Sequence, residues 1–102
     1  MEYIRFAYDI EIYQNFFCVT FLDYHSEDKV IFEISERISQ CEELVEYMNN
    51  IPRTSYGISF NGIDYDNLIL NRLVKGRYTQ ANYLKITREL KDFSDYVILN
   101  KD

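Results

Sequence analysis

The first third of the chain contains three β-prone segments separated by two short polar breaks, and this spacing limits the folds available to it. Residues 3–12, 16–24 and 29–34 are rich in β-branched and aromatic side chains. The breaks, YQN and HSED, are long enough only for tight reversals of chain direction. The sequence therefore predicts an antiparallel three-stranded meander.

A helix and a fourth strand are predicted next. Ser39 and Glu42 have the spacing of a capping box, and apolar residues recur at helical spacing as far as Asn49. TSYGISF, residues 54–60, has the composition of a strand. A strand–helix–strand connection favours parallel pairing, so we expect this strand to lie parallel to an earlier one.

Helical patterns dominate the remainder. Residues 64–75 place apolar side chains on one side of a helix, and residues 79–92 do the same. Residues 95–100, DYVILN, predict a short final strand. The predicted class is α/β: an antiparallel three-strand meander, a helix, a parallel fourth strand, and then helices.

Bulk composition narrows the classes of function. The chain has 102 residues, which corresponds to a single domain, and a net charge of −6, which argues against broad electrostatic capture of a nucleic-acid backbone. Its two cysteines, Cys18 and Cys41, do not form a CxxC motif or a disulfide framework. No signal peptide or membrane span is recognisable, so we expect a cytoplasmic protein without a membrane partner.

The stretch AYDIEIY, residues 7–13, carries two carboxylates inside a β-prone run. Asp9 and Glu11 are two residues apart, so on a strand they project from the same face. Two carboxylates held this close repel each other unless they are protonated or bridged by a cation. Mg²⁺ or Mn²⁺ would satisfy them, whereas the alternative is that a strand end exposes two acids to water.

A second stretch, SFNGIDYDNLIL, provides a third acid. It places Asn61 directly after the fourth predicted strand and Asp66 in the first turn of the next helix. If that strand pairs with the first one, Asp66 approaches Asp9 and Glu11. Alternatively, an acid here simply complements the dipole at the helix N-terminus.

Taken together, YDIEIY and FNGIDYDNLIL resemble the first two motifs of DEDD-type 3′–5′ exonucleases of the ribonuclease H-like superfamily. The five-residue step from Asn61 to Asp66 is most similar to proofreading exonuclease domains of family B DNA polymerases, including those of phages. The resemblance covers about residues 3–76. It implies a single exonuclease-like domain over residues 1–102, with a ribonuclease H-like mixed sheet that is incomplete at its C-terminus.

The resemblance also implies roles for particular residues. Asp9, Glu11 and Asp66 would be catalytic ligands of Mg²⁺ or Mn²⁺, in a mechanism in which metal ions activate water and stabilise the leaving oxygen. Asn61 and Tyr65 would lie on the substrate side, where Asn61 places the strand or holds its loop and Tyr65 packs the helix onto the sheet. The implied substrate is the 3′ end of single-stranded DNA.

The chain departs from this family at the third motif, Y-x-x-x-D or H-x-x-x-x-D. The only Y-x-x-x-D, Tyr24 to Asp28, lies between the first two motifs, and the only histidine, His25, lies in the same predicted turn. Near the C-terminus, Tyr96 is followed by Asn100 where the family has an acid. Efficient two-metal hydrolysis is therefore in doubt.

A binding function is the main alternative. A small acidic protein, for example one encoded by a phage and acting in the host cytoplasm, could keep the scaffold and inhibit a nucleic-acid enzyme or a defence nuclease. Its partner would present a basic groove to acidic side chains, which are Glu33, Glu36, Glu42, Glu43 and Glu46. A structural fragment without activity is a third alternative.

Overall fold

The computed structural model describes residues 5–23, 26–51, 56–59, 63–78 and 80–100. These described residues form an α/β structure of four strands and three helices. In chain order the elements are β1 (Arg5–Tyr13), β2 (Phe16–Asp23), β3 (Lys29–Ile34), α1 (Cys41–Asn49), β4 (Tyr56–Ser59), α2 (Ile63–Lys75) and α3 (Tyr83–Leu99). Within the described residues, no helix combines the length and the apolar content that crossing a membrane requires.

The first three strands form the predicted antiparallel meander, which is confirmed. β1 pairs with β2 from Phe6 opposite Asp23 to Tyr13 opposite Phe16, and β2 pairs with β3. The two-residue turn between β1 and β2 is closed by Asn15, whose φ of 63° is a left-handed conformation that asparagine tolerates better than most residues. β4 lies on the other side of β1 and parallel to it, giving the strand order β3-β2-β1-β4.

One face of the sheet forms the hydrophobic core. Because side chains alternate along a strand, the residues of β1 to β3 that belong to the main core cluster all lie on the same face. All three helices contribute to the same cluster, through residues such as Leu44, Leu73 and Leu90. The sheet residues of the cluster are Tyr8, Ile10, Phe17, Val19, Phe21, Phe32 and Ile34.

The opposite face of the sheet carries the polar residues. Asp9, Glu11, Cys18 and Thr20 point to this side, as their register in β1 and β2 requires. Among the described residues, the core cluster contains no side chain of this face, although Ala7, which alternates with Asp9, is itself buried with 1 % exposure. We call it the carboxylate face; its described members are Ala7, Asp9, Glu11 and Tyr13 in β1, Phe16, Cys18, Thr20 and Leu22 in β2, and Lys29, Ile31 and Glu33 in β3.

Two predictions of local structure are wrong. Residues 95–100 do not form a strand, because α3 continues to Leu99. Ser39 is not the N-terminal cap of α1: the cap position is Gln40, without a side-chain capping bond, and Ser39 instead forms an isolated bridge to Ile34. The side chain of Gln40 accepts a hydrogen bond from the backbone N–H of Glu33 at 2.9 Å, on the outer edge of β3.

Candidate functional site

The two carboxylates of β1 lie on the same face, as the spacing predicts. Asp9 is half-buried and Glu11 is exposed, whereas Ile10 between them is only 4 % exposed and belongs to the core on the opposite face. Neighbouring same-face positions on a strand are about 7 Å apart. A rigid strand therefore holds two hard oxygen donors next to each other, with one of them open to solvent.

The strand beside them contributes a thiol that stays neutral. Cys18 is the cross-strand partner of Glu11 and donates its S–H to Glu11 Oε2 over 3.8 Å. Burial, followed by the charge and hydrogen bond of Glu11, raises the pKa of Cys18 to about 11. The thiol therefore adds no third negative charge to this part of the face at neutral pH.

Glu33, on β3, completes a row across three strands but is already occupied by an ion pair. Both of its oxygens accept from Arg37, Nε to Oε2 and Nη2 to Oε1, each at 2.7 Å, and Ser35 Oγ donates to Oε2 at 2.6 Å. The hydrogen bonds from Arg37 and then Ser35 lower the pKa of Glu33 to about 2. With Glu33 only 8 % exposed, the prediction that it belongs to an exposed acidic surface is wrong.

The connection between β4 and α2 determines where the third predicted ligand can lie. β4 ends at Ser59, which pairs with Tyr8, one residue before Asp9. Paired strands are about 4.8 Å apart. Residues 60–62 join β4 to α2, so the first residue of α2, Ile63, lies within about 14 Å of Ser59. This topology starts α2 close to the end of β4 beside Tyr8, but α2 packs on the core face of the sheet, whereas Asp9 and Glu11 project from the opposite face.

Asp66 is in the first turn of α2, in agreement with the prediction for its backbone. Its side chain lies outside the described residues, as does all of Asn61, so their predicted roles as ligand and substrate contact stay predictions. Tyr8, which precedes Asp9 on β1, is a core residue with 3 % exposure.

Tyr65 connects two helices. Its ring packs against the hydrophobic core, and its hydroxyl lies 2.6 Å from Ser94 Oγ of α3, which is buried. This contact fixes the start of α2 against α3 and thereby limits where the neighbouring position 66 can move. A direct contact of Tyr65 with substrate stays a prediction.

The C-terminal match to the third motif has a structural role. Tyr96 and Asn100 lie at the end of α3, where Asn100 Nδ2 donates to the carbonyl oxygen of Tyr96 at 2.8 Å. The same carbonyl oxygen also accepts the backbone N–H of Asn100 at 3.0 Å, so both donors of residue 100 close the last turn of the helix. The Asn100 amide is thus engaged by its own helix.

A polar cleft of about 420 Å³ lies between the β1–β2 turn and α3. Cations and anions balance in it, and the Lys91 ammonium is already paired with Asp95. The cleft therefore has no net charge that selects a ligand. Its lining residues are Gln14, Asn15, Arg88, Lys91, Asp92 and Asp95.

Sequence reasoning overlooked the aromatic residues of the carboxylate face. Tyr13 continues the alternation of Asp9 and Glu11, and Phe16 lies opposite Tyr13 on β2. Their shared face was predictable from the two-residue period of the strand. The bidentate pair of Glu33 and Arg37 was harder to predict from the sequence, because its four-residue separation falls in a non-helical segment.

Within the residues whose side chains the structure describes, no group of three His, Cys, Asp or Glu converges on a common metal position. The Asp66 carboxylate is not among those side chains. Comparison with protein-family models, with curated proteins and with solved structures found no match to this chain.

Proposed function

We propose that this chain is an exonuclease-like domain of the ribonuclease H-like type, which binds Mg²⁺ or Mn²⁺ and hydrolyses phosphodiesters at a single-stranded 3′ end. The observation that carries the proposal is the parallel pairing of β4 with β1, which ends beside Tyr8. Without that pairing, nothing in the topology would bring the start of α2 near β1. With it, α2 starts beside β1, and a shared site requires Asp66 to reach past the end of β4 to the face that carries Asp9 and Glu11.

The donor chemistry of β1 fits a hard divalent cation. Carboxylate oxygens are the ligands that Mg²⁺ and Mn²⁺ prefer, and Glu11 is open to solvent on a regular strand. When bound, such a cation activates water and stabilises the charge on the leaving oxygen. The chain itself would hold the two carboxylates in register through the β1–β2 ladder and set the start of α2 through the Tyr65–Ser94 contact.

Digestion of labelled oligonucleotides tests the proposal. Single-stranded DNA and RNA carrying a 5′ label are incubated with the protein and Mn²⁺ or Mg²⁺. We expect stepwise shortening from the 3′ end by the wild type and none by Asp9→Asn. The matched control is Glu36→Gln, which removes an exposed acid that lies outside the sheet.

Two results would contradict the proposal. One is equal shortening by the wild type and Asp9→Asn, which would identify a contaminating nuclease. The other is no shortening by the wild type in either metal. The missing acid of the third motif makes the rate informative as well, because a site with three carboxylates is expected to turn over slowly.

A second candidate function is binding to a basic protein partner. It is favoured by the outer side of α1 and the segment before it, where Glu36, Glu42, Glu43 and Glu46 are all exposed. Such a surface complements a basic groove of a nucleic-acid enzyme. The test is inhibition of a co-purifying nuclease by the wild type, lost in the double variant Glu42→Lys, Glu46→Lys; inhibition that survives these changes would reject this surface.

A further inference from the structure

An aromatic pair closes the β1–β2 hairpin on the carboxylate face. Tyr13 and Phe16 are cross-strand partners, and their ring centroids are 6.1 Å apart with planes inclined by 45°. Phe16 is half-buried, whereas Tyr13 is 58 % exposed. The contact with Phe16 therefore holds the Tyr13 ring while leaving much of its surface to solvent.

The position of this ring relative to the carboxylates is set by the strand. Asp9, Glu11 and Tyr13 occupy alternate positions of β1, so all three project from the same face. The strand rise places Tyr13 about 7 Å beyond Glu11 and about 13 Å beyond Asp9. These are separations of roughly one and two nucleotides along an extended strand.

We propose that Tyr13, supported by Phe16, is a stacking platform for a base near the 3′ end of a single strand whose scissile phosphodiester lies at Asp9 and Glu11. This inference rests on the proposed function and specifies how its substrate is held. Every nucleobase has a π-face, so stacking on a tyrosine ring binds a strand with little sequence preference.

The charge of the protein favours stacking over phosphate contacts as the source of affinity. A chain with a net charge of −6 gains little from the phosphate backbone, which supplies most of the non-specific affinity of basic proteins. Stacking then provides a larger share of the binding free energy. We accordingly expect oligonucleotide binding that depends only weakly on salt concentration.

The competing explanation is that the pair only stabilises the hairpin. Cross-strand aromatic pairs do contribute to sheet stability. A matched control separates the two explanations. Tyr96 on α3 is 62 % exposed and stacks on Phe93 with centroids 6.5 Å apart, but it belongs to a helix and not to the carboxylate face.

The test measures stacking directly and without metal. An oligonucleotide with 2-aminopurine near its 3′ end is titrated with the full chain in EDTA, because stacking quenches the fluorescence of this base. We expect quenching by the wild type and Tyr13→Phe, binding about 5- to 150-fold weaker by Tyr13→Ala, and no change for Tyr96→Ala. Moving the 2-aminopurine to the 5′ end should abolish the quenching.

Several outcomes would overturn the platform: no quenching by the wild type, or equal weakening by Tyr13→Ala and Tyr96→Ala, or no weakening by either. Tyr13→Leu keeps an apolar side chain at the hairpin but removes the π-face, so it replaces Tyr13→Ala if that variant does not fold. Hydrolysis in Mn²⁺ is measured separately. Cleavage with an unchanged KM in Tyr13→Leu would refute the platform alone, and quenching without cleavage would refute hydrolysis alone.

Discussion

The sharpest test of the candidate site is a change of stability whose sign depends on metal. Glu11→Gln removes one charge and keeps an oxygen that can accept the Cys18 S–H. Asp9 and Glu11 occupy same-face positions about 7 Å apart along the strand, and Glu11 is exposed, so the dielectric constant of water applies. Their repulsion is then about 0.6 kcal/mol, and the variant should be more stable than the wild type by this amount without metal.

Metal should reverse the order of the two proteins. A ligand at one hundred times its Kd stabilises the folded state by about 2.7 kcal/mol. For a domain of this size, that raises the Tm by about 11 to 22 °C, whereas the advantage of Glu11→Gln in EDTA corresponds to about 2 to 5 °C. The variant lacks one ligand, so its gain from Mn²⁺ should be much smaller than that of the wild type.

Thermal melts followed by circular dichroism, in EDTA and across a Mn²⁺ titration, measure both effects. Glu36→Gln is the control for the loss of an exposed acid away from the sheet, and it should respond to Mn²⁺ like the wild type. The reasoning is refuted if Glu11→Gln is less stable than the wild type in EDTA. It is also refuted if Mn²⁺ leaves the Tm of the wild type unchanged.

Three further predictions concern the scaffold. Glu33 has a lowered folded-state pKa, so the stability that it adds is complete above about pH 5 and is lost as the pH falls towards about 2. In urea denaturation, the difference in unfolding free energy between wild type and Glu33→Gln should therefore shrink over that pH range. A constant difference would contradict the lowered pKa. Gly76→Ala should cost about 1 to 3 kcal/mol, since an added Cβ would lie 2.8 Å from the carbonyl oxygen of Arg72 and against the buried ring of Tyr78; an unchanged Tm would show that the turn relaxes freely. Glu27→Gly should stabilise by about 0.5 to 1 kcal/mol in denaturant melts, because φ is 63° at Glu27, and Glu27→Ala should give no such gain.

The strands were predictable because their signal is local. Residues 29–34 alternate and are bounded by polar turns, and the observed β3 has the same limits as the prediction. The same two-residue period is sufficient to assign Asp9 and Glu11 to one face of β1. Such statements need only the geometry of a single strand.

Errors arose where one local preference competed with a longer pattern. DYVILN contains β-prone residues, but Val97 follows Phe93 and Leu90 by four and seven residues and extends the apolar stripe of α3. A helix that is already formed extends at little cost, so the stripe prevails over local β-propensity. At Ser39 the capping motif was present, but Ser39 forms a bridge to Ile34 at the end of β3 instead.

The candidate site was only partly predictable, because its two halves come from distant parts of the chain. The D-x-E pair is a property of β1 alone. Whether Asp66 belongs with it depends on β4 pairing with β1, a contact between residues about fifty positions apart. Sequence patterns favour parallel pairing after a crossover helix, but they do not select the partner strand. The ion pair of Glu33 with Arg37 was missed for a similar reason, since it depends on how the segment after β3 folds back.

The alternation along β1 also decides how mutational results are to be interpreted. Tyr8 and Ile10 support the core, whereas Asp9, Glu11 and Tyr13 face away from it. Substitutions at the second group can therefore change metal or strand binding without removing core contacts, and a loss of function there is not explained by unfolding. A one-residue insertion before Asp9 would exchange the two faces and destroy both properties together. If Glu11→Gln and Tyr13→Leu instead unfold the protein, the carboxylate face is structural, and the acidic surface on α1 becomes the better candidate for the functional site.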